Sequence, residues 1–208
     1  MPNRYHELLF TDAVKAIQAE AGSRAMYARQ ERSDTVRNAD LGPDEIGFIA
    51  AQDSFYMASV SRSGWPYVQH RGGPRGFLVS LGGNALAFAD FSGNHQYITT
   101  GNLGDDQRVA IILTDYTIQR RIKLLALAEA VAEPDAELLA RLTTPQYSAP
   151  VERVIKLEVE AFEWNCPKHI TQRYSLADVQ KATAGLQNRI AELEAALATA
   201  NGKLSLGK

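Results

Sequence analysis

The sequence predicts a mainly β protein with flanking helices: an antiparallel barrel of about six strands, followed by one long amphipathic helix. Three observations predict it. Between Asp53 and Asn165, β-branched and aromatic runs alternate with Gly-, Pro- and Asn-rich turns at hairpin spacings. The segments between those runs hold only short helical patterns, too short for the crossovers of a parallel sheet. From Leu176 onward the apolar period changes to alternating three- and four-residue steps.

Residues 1–44 read as a polar helical extension. In "FTDAVKAIQAEAG", Phe10, Val14, Ile17 and Ala21 share one helical face, with Thr11 as N-cap and Gly22 as a stop. "SRAMYARQERSD" continues the helical pattern after that break. Pro43 opens a further short helix, with Asp44 and Glu45 in its first turn. "SFYMASVS" and "YVQHR" are then strands joined by the turn "RSGWP". "GFLVSL" and "ALAFADF" form a hairpin across Gly-Gly-Asn, a turn suited to positive φ. "GNHQYITTGNLGDDQ" breaks the strand pattern around a short helix, and "RVAIILTDY" is a buried strand. "RRIKLLALAEAVA" fits helix or strand, and its short turn from the preceding strand favours a long strand. "DAELLARL" is a short helix, and "VERVIKLEVEAFEWN" alternates as a strand.

Residues 175–208 form the last segment. Leu176, Val179, Thr183, Leu186, Ile190, Leu193, Leu197, Ala200 and Leu204 hold about four heptads of a/d positions, and Ser175 with Asp178 makes a capping-box-like start. The stripe fits either one helix packed on its own domain or a helix paired with another.

The 208 residues carry 45% hydrophobic side chains, a net charge of −2 and a pI of about 6.1. That balance gives no general attraction to nucleic acid, so any anion site is local. The one cysteine, Cys166, excludes an internal disulfide and a Cys-rich zinc site. The N-terminus lacks a signal-peptide core, and no window reaches the roughly 18 apolar residues of a spanning helix. A cytoplasmic protein is expected.

Three stretches carry candidate chemistry. In "GWPYVQHRGGPRGF", strand alternation places Tyr67, Gln69 and Arg71 on one face and Val68 and His70 on the other, and the glycines serve either a plain bend or close approach to an anion. In "FADFSGNHQYITTGNL", Ser92, Asn94, His95 and Gln96 surround a helix N-terminus, where free N–H groups receive anions or make an ordinary polar cap. "EWNCPKHITQRY" gathers Trp164, Lys168, His169 and Arg173 in an irregular segment. Asp53, Asp90 and Asp115 form no metal-ligand pattern, no Ser-His-Asp or Walker-type signature appears, and Cys166 reads as a structural thiol.

These three motifs, in this order, resemble those of the pyridoxamine 5'-phosphate oxidase-like, FMN-binding split-barrel family, over about residues 45–174. The resemblance implies a homodimer of six-stranded Greek-key split barrels with FMN at the interface. It implies that Tyr67, Val68, Gln69, His70 and Arg71 lie against the flavin. Gly93, Asn94, His95 and Gln96 stand where the oxidases carry a basic phosphate-binding segment, with Arg71 or Arg75 left to supply further charge. Trp164 and Arg173 resemble the family's late Trp and Arg, which reach flavin or substrate across the dimer. Lys168 and His169 only loosely echo the substrate-reading Arg-x-His, so pyridoxamine phosphate is not carried over as substrate. The function implied is FMN-dependent oxidation or reduction of a small molecule. The alternative is a non-catalytic flavin- or nucleotide-binding protein that associates through its last helix. Split-barrel relatives also bind deazaflavin or haem, and a haem reading requires His70, His95 or His169 to face an apolar pocket.

Overall fold

The computed structural model describes residues 3–31 and 38–206. Arg32, Ser33 and Asp34, at the end of the second helical pattern, lie outside the described residues. The chain divides into two compact units, one of residues up to 115 with 120–168, the other of residues 116–119 with 169 onward.

The first unit is built on one sheet of seven antiparallel strands, one more than about six. They are β1 (Ser54–Val60), β2 (Pro66–Gly72), β3 (Val79–Gly82), β4 (Ala85–Phe91), β5 (Arg108–Asp115), β6 (Arg120–Val131) and β7 (Val151–Asn165). β3 lies within the expected "GFLVSL" strand but is short, with four residues and a register irregularity between Ser80 and Gly82. The order across the sheet is β2-β1-β5-β6-β7-β4-β3, so consecutive β4 and β5 are separated by β6 and β7. Helix α5 (Ile98–Asp105) carries that Greek-key crossover.

Period-two alternation turns one face inward. Phe55 and Met57 of β1, Ile111 and Leu113 of β5, Ile122 and Leu124 of β6, and Ile155 and Leu157 of β7 are all buried in one core. Phe55 stacks on Phe77 at 5.4 Å and meets Phe88 edge-on at 5.2 Å. β4 is buried on both faces because α6 (Ala136–Leu142), capped by Asp135, lays Leu138 and Leu142 against Ala87, Ala89 and Val154 on its other side.

The turns behave as their residues dictate. Gly64 (φ 84°) closes the β1–β2 hairpin, and Gly82 (φ 107°) and Gly83 (φ 56°) close β3–β4. Asn84 then binds three backbone groups: its Nδ2 donates to Ala39 O (2.6 Å) and Val159 O (3.0 Å), and its Oδ1 accepts from Leu41 N (3.0 Å).

The N-terminal helices are α1 (Arg4–Leu9), α2 (Asp12–Glu20), α3 (Arg24–Glu31) and α4 (Pro43–Ala50). Thr11 caps α2 by accepting from Val14 N, and Gly22 follows at φ 75°. The apolar face expected of α2 is not its buried one. Ile17 is 64% exposed, and the buried side chain is Gln18, which accepts from Arg24 Nη1 at 2.7 Å. α1 instead seals β7, where buried His6 lies 3.2 Å from Glu163 and stacks on Phe10.

In the second unit, Thr117 Oγ1 donates to Arg173 O (3.1 Å) and Gln119 Nε2 donates to Ile170 O (2.6 Å). The unit continues into α7 (Leu176–Leu206). Ser175 N donates to Asp178 Oδ2 (3.0 Å) and Asp178 N donates to Ser175 Oγ (3.1 Å), the reciprocal cap expected at this start.

The Gly-rich loop after β2 has a packing cause. A Cβ on Gly73 would sit 2.7 Å from Phe77 Cγ, inside the aromatic core. Gly76 holds φ 80°, with its N–H donating to Gln52 O at 2.8 Å. Gly73→Ala therefore displaces Phe77 and is expected to cost about 1–3 kcal/mol. Urea unfolding checks this, as a lowered midpoint at unchanged slope.

Candidate functional site

The sheet curls until β2, at one end of the strand order, meets β4 near the other. Arg71 of β2 and Asp90 of β4 form an ion pair there, with both side chains only 11% exposed. Arg153, the cross-strand neighbour of Asp90 on β7, lies with its Nε 3.6 Å from Asp90 Oδ2. Its Nη2 donates to Glu152 (2.6 Å) and its Nη1 donates to Thr100 Oγ1 (2.9 Å). Two guanidiniums thus face two carboxylates. Burial pushes the Asp90 carboxyl up, against the two arginines that pull it down. Burial likewise holds the Arg71 guanidinium below its ordinary value. A hydrogen bond from Ser92 holds the Glu152 carboxyl below its usual range, with His95 and Arg153 adding to the effect.

α5 is fixed against this cluster by its own polar residues. Buried Thr99 donates to Gln69 Oε1 of β2 (2.9 Å), and buried Asn102 donates to Ser59 Oγ of β1 (2.9 Å). With Thr100, the polar positions of "ITTGN" are tethers to three different strands. Ahead of the helix, His95 (φ 58°) and Tyr97 (φ 54°) are both left-handed. Tyr97 occupies the N-cap position of α5 without a side-chain cap, so the first N–H groups receive no capping oxygen. His95 Nδ1 lies 2.7 Å from Tyr97 Oη and 3.6 Å from Glu152 Oε1, and its Nε2 lies 3.4 Å from Ser92 Oγ.

These residues line a shallow cleft of about 40 Å³, room for roughly three water molecules. Gln69, Arg71, Asn94 and His95 meet there, joined by Asp90, Tyr97, Thr99, Thr100 and Glu152. Tyr67 shares the half-buried face of β2 with Gln69 and Arg71. Val68 and His70 are on the opposite, exposed face, where the His70 ring meets Tyr56 at 5.4 Å. Gln96 is exposed outside the cleft lining, its N–H donating to Asn94 Oδ1 at 3.2 Å. Trp164 does not line the cleft. Its Nε1 donates to Glu45 (2.7 Å), its ring meets Phe48, and the Arg120 guanidinium stacks on it at 4.1 Å. Lys168 and His169 are exposed. Arg173 belongs to the second unit and stacks 4.7 Å over Tyr116. His95 faces polar groups, and His70 and His169 are exposed, so none of the three meets the apolar-pocket condition. Among the described residues no group of three His, Cys, Asp or Glu is placed to hold a metal ion, and no helix is long and apolar enough to cross a membrane.

Sequence reasoning missed Asp90, Glu152 and Arg153 as members of this cluster. The available signal was Asp90 itself, a carboxylate inside the apolar run "ALAFADF", which demands a buried cation.

Fold and site together define an antiparallel split barrel with a polar cleft where the ends of the sheet meet. The chain belongs to the pyridoxamine 5'-phosphate oxidase family, which residues 46–166 match. Solved structures are similar to this chain over part of its length. HupZ of Group A Streptococcus is 13% identical, with 64% of this chain aligned to 100% of that one at a TM-score of 0.50. An FMN-binding protein of Syntrophomonas wolfei is 15% identical, covering 71% of this chain and 97% of that one at a TM-score of 0.42. HutZ, a heme storage protein of Vibrio cholerae, is 17% identical, covering 59% and 93% at a TM-score of 0.40. No curated protein matches the chain.

Removing one member of a buried ion pair strands the other, at a cost of about 3–5 kcal/mol. Asp90→Ala leaves Arg71 and Arg153 facing each other, whereas Arg71→Met leaves Asp90 beside Arg153. Asp90→Ala is therefore expected to destabilise more than Arg71→Met, and the double variant less than the sum of the two. Urea unfolding of all four proteins measures the cycle.

Proposed function

We propose that the protein binds FMN, with the phosphate end in the cleft between β2 and α5, and that it works as a homodimeric flavin-dependent oxidoreductase on a small molecule. One observation carries the reading: Arg71 lines the cleft with its Nε buried and without a hydrogen-bond partner, beside an α5 N-terminus that lacks a side-chain cap. An unpaired buried N–H is costly, and an anion oxygen is the partner that satisfies it best. Asn94 and His95 add donors from the strained loop, and Gln69 is held by Thr99 at the cleft wall. Asp90 and Glu152 already offset the two arginines. Recognition of a phosphate here rests on placed donors rather than on excess positive charge.

The cleft of one chain is too small for the three fused rings of a flavin. In this reading the ring lies outside it, covered by a second chain. Tyr56, Val60 and Val68 supply an exposed apolar surface on the outer face of β1 and β2, opposite the cleft and suited to contact with a second chain. Bound FMN would supply the hydride and electron transfer. The residues of this chain have the simpler tasks of holding the phosphate, fixing the ring's orientation and limiting water around it.

The test pairs two ligands. FMN and riboflavin differ by the phosphate alone, and fluorescence titration reads both. The wild type is expected to prefer FMN. His95→Ala and Asn94→Ala change exposed residues, and each is expected to weaken FMN by about tenfold while leaving riboflavin unchanged. Equal weakening of both ligands would remove these residues from the phosphate site. Absence of flavin binding, or a Soret band in place of flavin bands near ~450 and ~375 nm in the purified protein, would overturn the cofactor assignment.

A further inference from the structure

We infer that α7 pairs with α7 of a second copy of this chain as a parallel, in-register, two-stranded coiled coil. The inference is independent of the cofactor. α7 runs 31 residues, and its apolar stripe is open to solvent: Leu186 is 67% exposed, Ile190 56%, Leu193 53% and Leu197 62%. Helices in proteins draw most of their stability from packing such a stripe, so it calls for a partner.

The heptad register says which partner. Leu176, Thr183, Ile190 and Leu197 occupy a positions, and Val179, Leu186 and Leu193 occupy d positions, with Ala200 and Leu204 continuing the pattern in sequence. At the centre a β-branched Ile190 at a lies between leucines at d, the combination that favours two parallel strands. Thr183 brings no unpaired donor into the seam, because its Oγ1 donates to Val179 O at 2.9 Å. Gly185 falls at c, on the solvent side, where a Cβ would meet nothing within 4 Å.

Charge fixes the direction. The flanking g positions are Ala182, Arg189, Ala196 and Lys203, and the e positions are Gln180, Gln187, Glu194 and Asn201. All charge at g is basic, and the one charge at e is acidic. Parallel chains in register set g against the e position five residues on in the partner, which joins Arg189 to Glu194 of the second copy twice, once on each side. Antiparallel chains set g against g and e against e, and no opposite charges meet. In a single chain Arg189 bonds Glu192 at 2.8 Å, a pair with both side chains 66% exposed. Exposed i,i+3 pairs are weak, about 0.5 kcal/mol or less, so Arg189 can exchange this partner for Glu194 of the second copy.

Disulfide trapping in the full-length protein tests the inference, with Cys166→Ser removing the one native thiol. Leu186→Cys at d and Leu197→Cys at a are introduced separately, and one variant carries a size tag. In a parallel in-register pair each residue meets its own copy. Each variant is expected to form a homodimeric disulfide under mild oxidation, and a mixture to form no cross-product. Cross-product from the mixture without self-linking would show antiparallel pairing, and no linking at all would show that the stripe packs elsewhere; either result overturns the proposal. Sedimentation then tests the charge pair. Arg189→Glu and Glu194→Arg are each expected to weaken self-association about three- to tenfold, and the double exchange to restore it. Equal association in all four proteins would refute the assignment of Arg189 to Glu194.

Discussion

The structure depends on one buried ion pair. Arg71 and Asp90 sit near opposite ends of the strand order, and nothing in the backbone ladder joins β2 to β4. Their attraction spans the split that hydrogen bonding leaves open. Each ion loses water on burial, so the pair adds little net stability compared with apolar packing. What it supplies is a closing geometry. With β2 held to β4, Gln69 reaches Thr99, α5 takes its place across the opening, and the His95–Tyr97 loop lies over the Arg153–Glu152 side of the same cluster. Arg153 acts as a reserve cation for Asp90, so the carboxylate has two arginines near it and the local charge stays close to neutral once Glu152 is included.

Much of the scaffold was legible because its signals are local. The hairpin turns announced themselves through Gly64 and Gly82–Gly83, and the alternation of β1, β5 and β7 marked the core face. The caps at Thr11 and Ser175 were written in residue type. The less visible parts depend on tertiary neighbours. α2 buries Gln18, which accepts from Arg24, and leaves Ile17 exposed, a tertiary arrangement that no helical period records. The strand expected over "GFLVSL" is only Val79–Gly82, with Phe77 and Leu78 buried in the core ahead of it.

The site was legible to a different degree. Alternation along β2 correctly separated Gln69 and Arg71 from Val68 and His70. The acidic half of the cluster was hidden, because Asp90 and Arg153 become neighbours only through the register of β4 against β7, 63 residues apart in sequence. The glycines after β2 invited a ligand explanation, yet Gly73 is required by Phe77 and Gly76 by its turn. Trp164 stood out as a rare aromatic in a loop-like segment, and it is held by Glu45, Phe48 and Arg120.

The two ends of the sheet have a further consequence. An unpaired edge strand is a template on which another chain can add a strand, and proteins protect such edges with short strands, proline and inward charges. Here one edge, β3, is four residues long with a register irregularity, and the other, β2, begins at Pro66 and turns its charged Arg71 inward to Asp90. β3 offers no long regular ladder, and the seven-residue ladder of β2 is blunted by its proline and its inward arginine. Runaway strand-on-strand polymerisation is disfavoured at both ends, and any pairing between copies of this chain falls to side-chain surfaces, where contacts are finite and self-limiting.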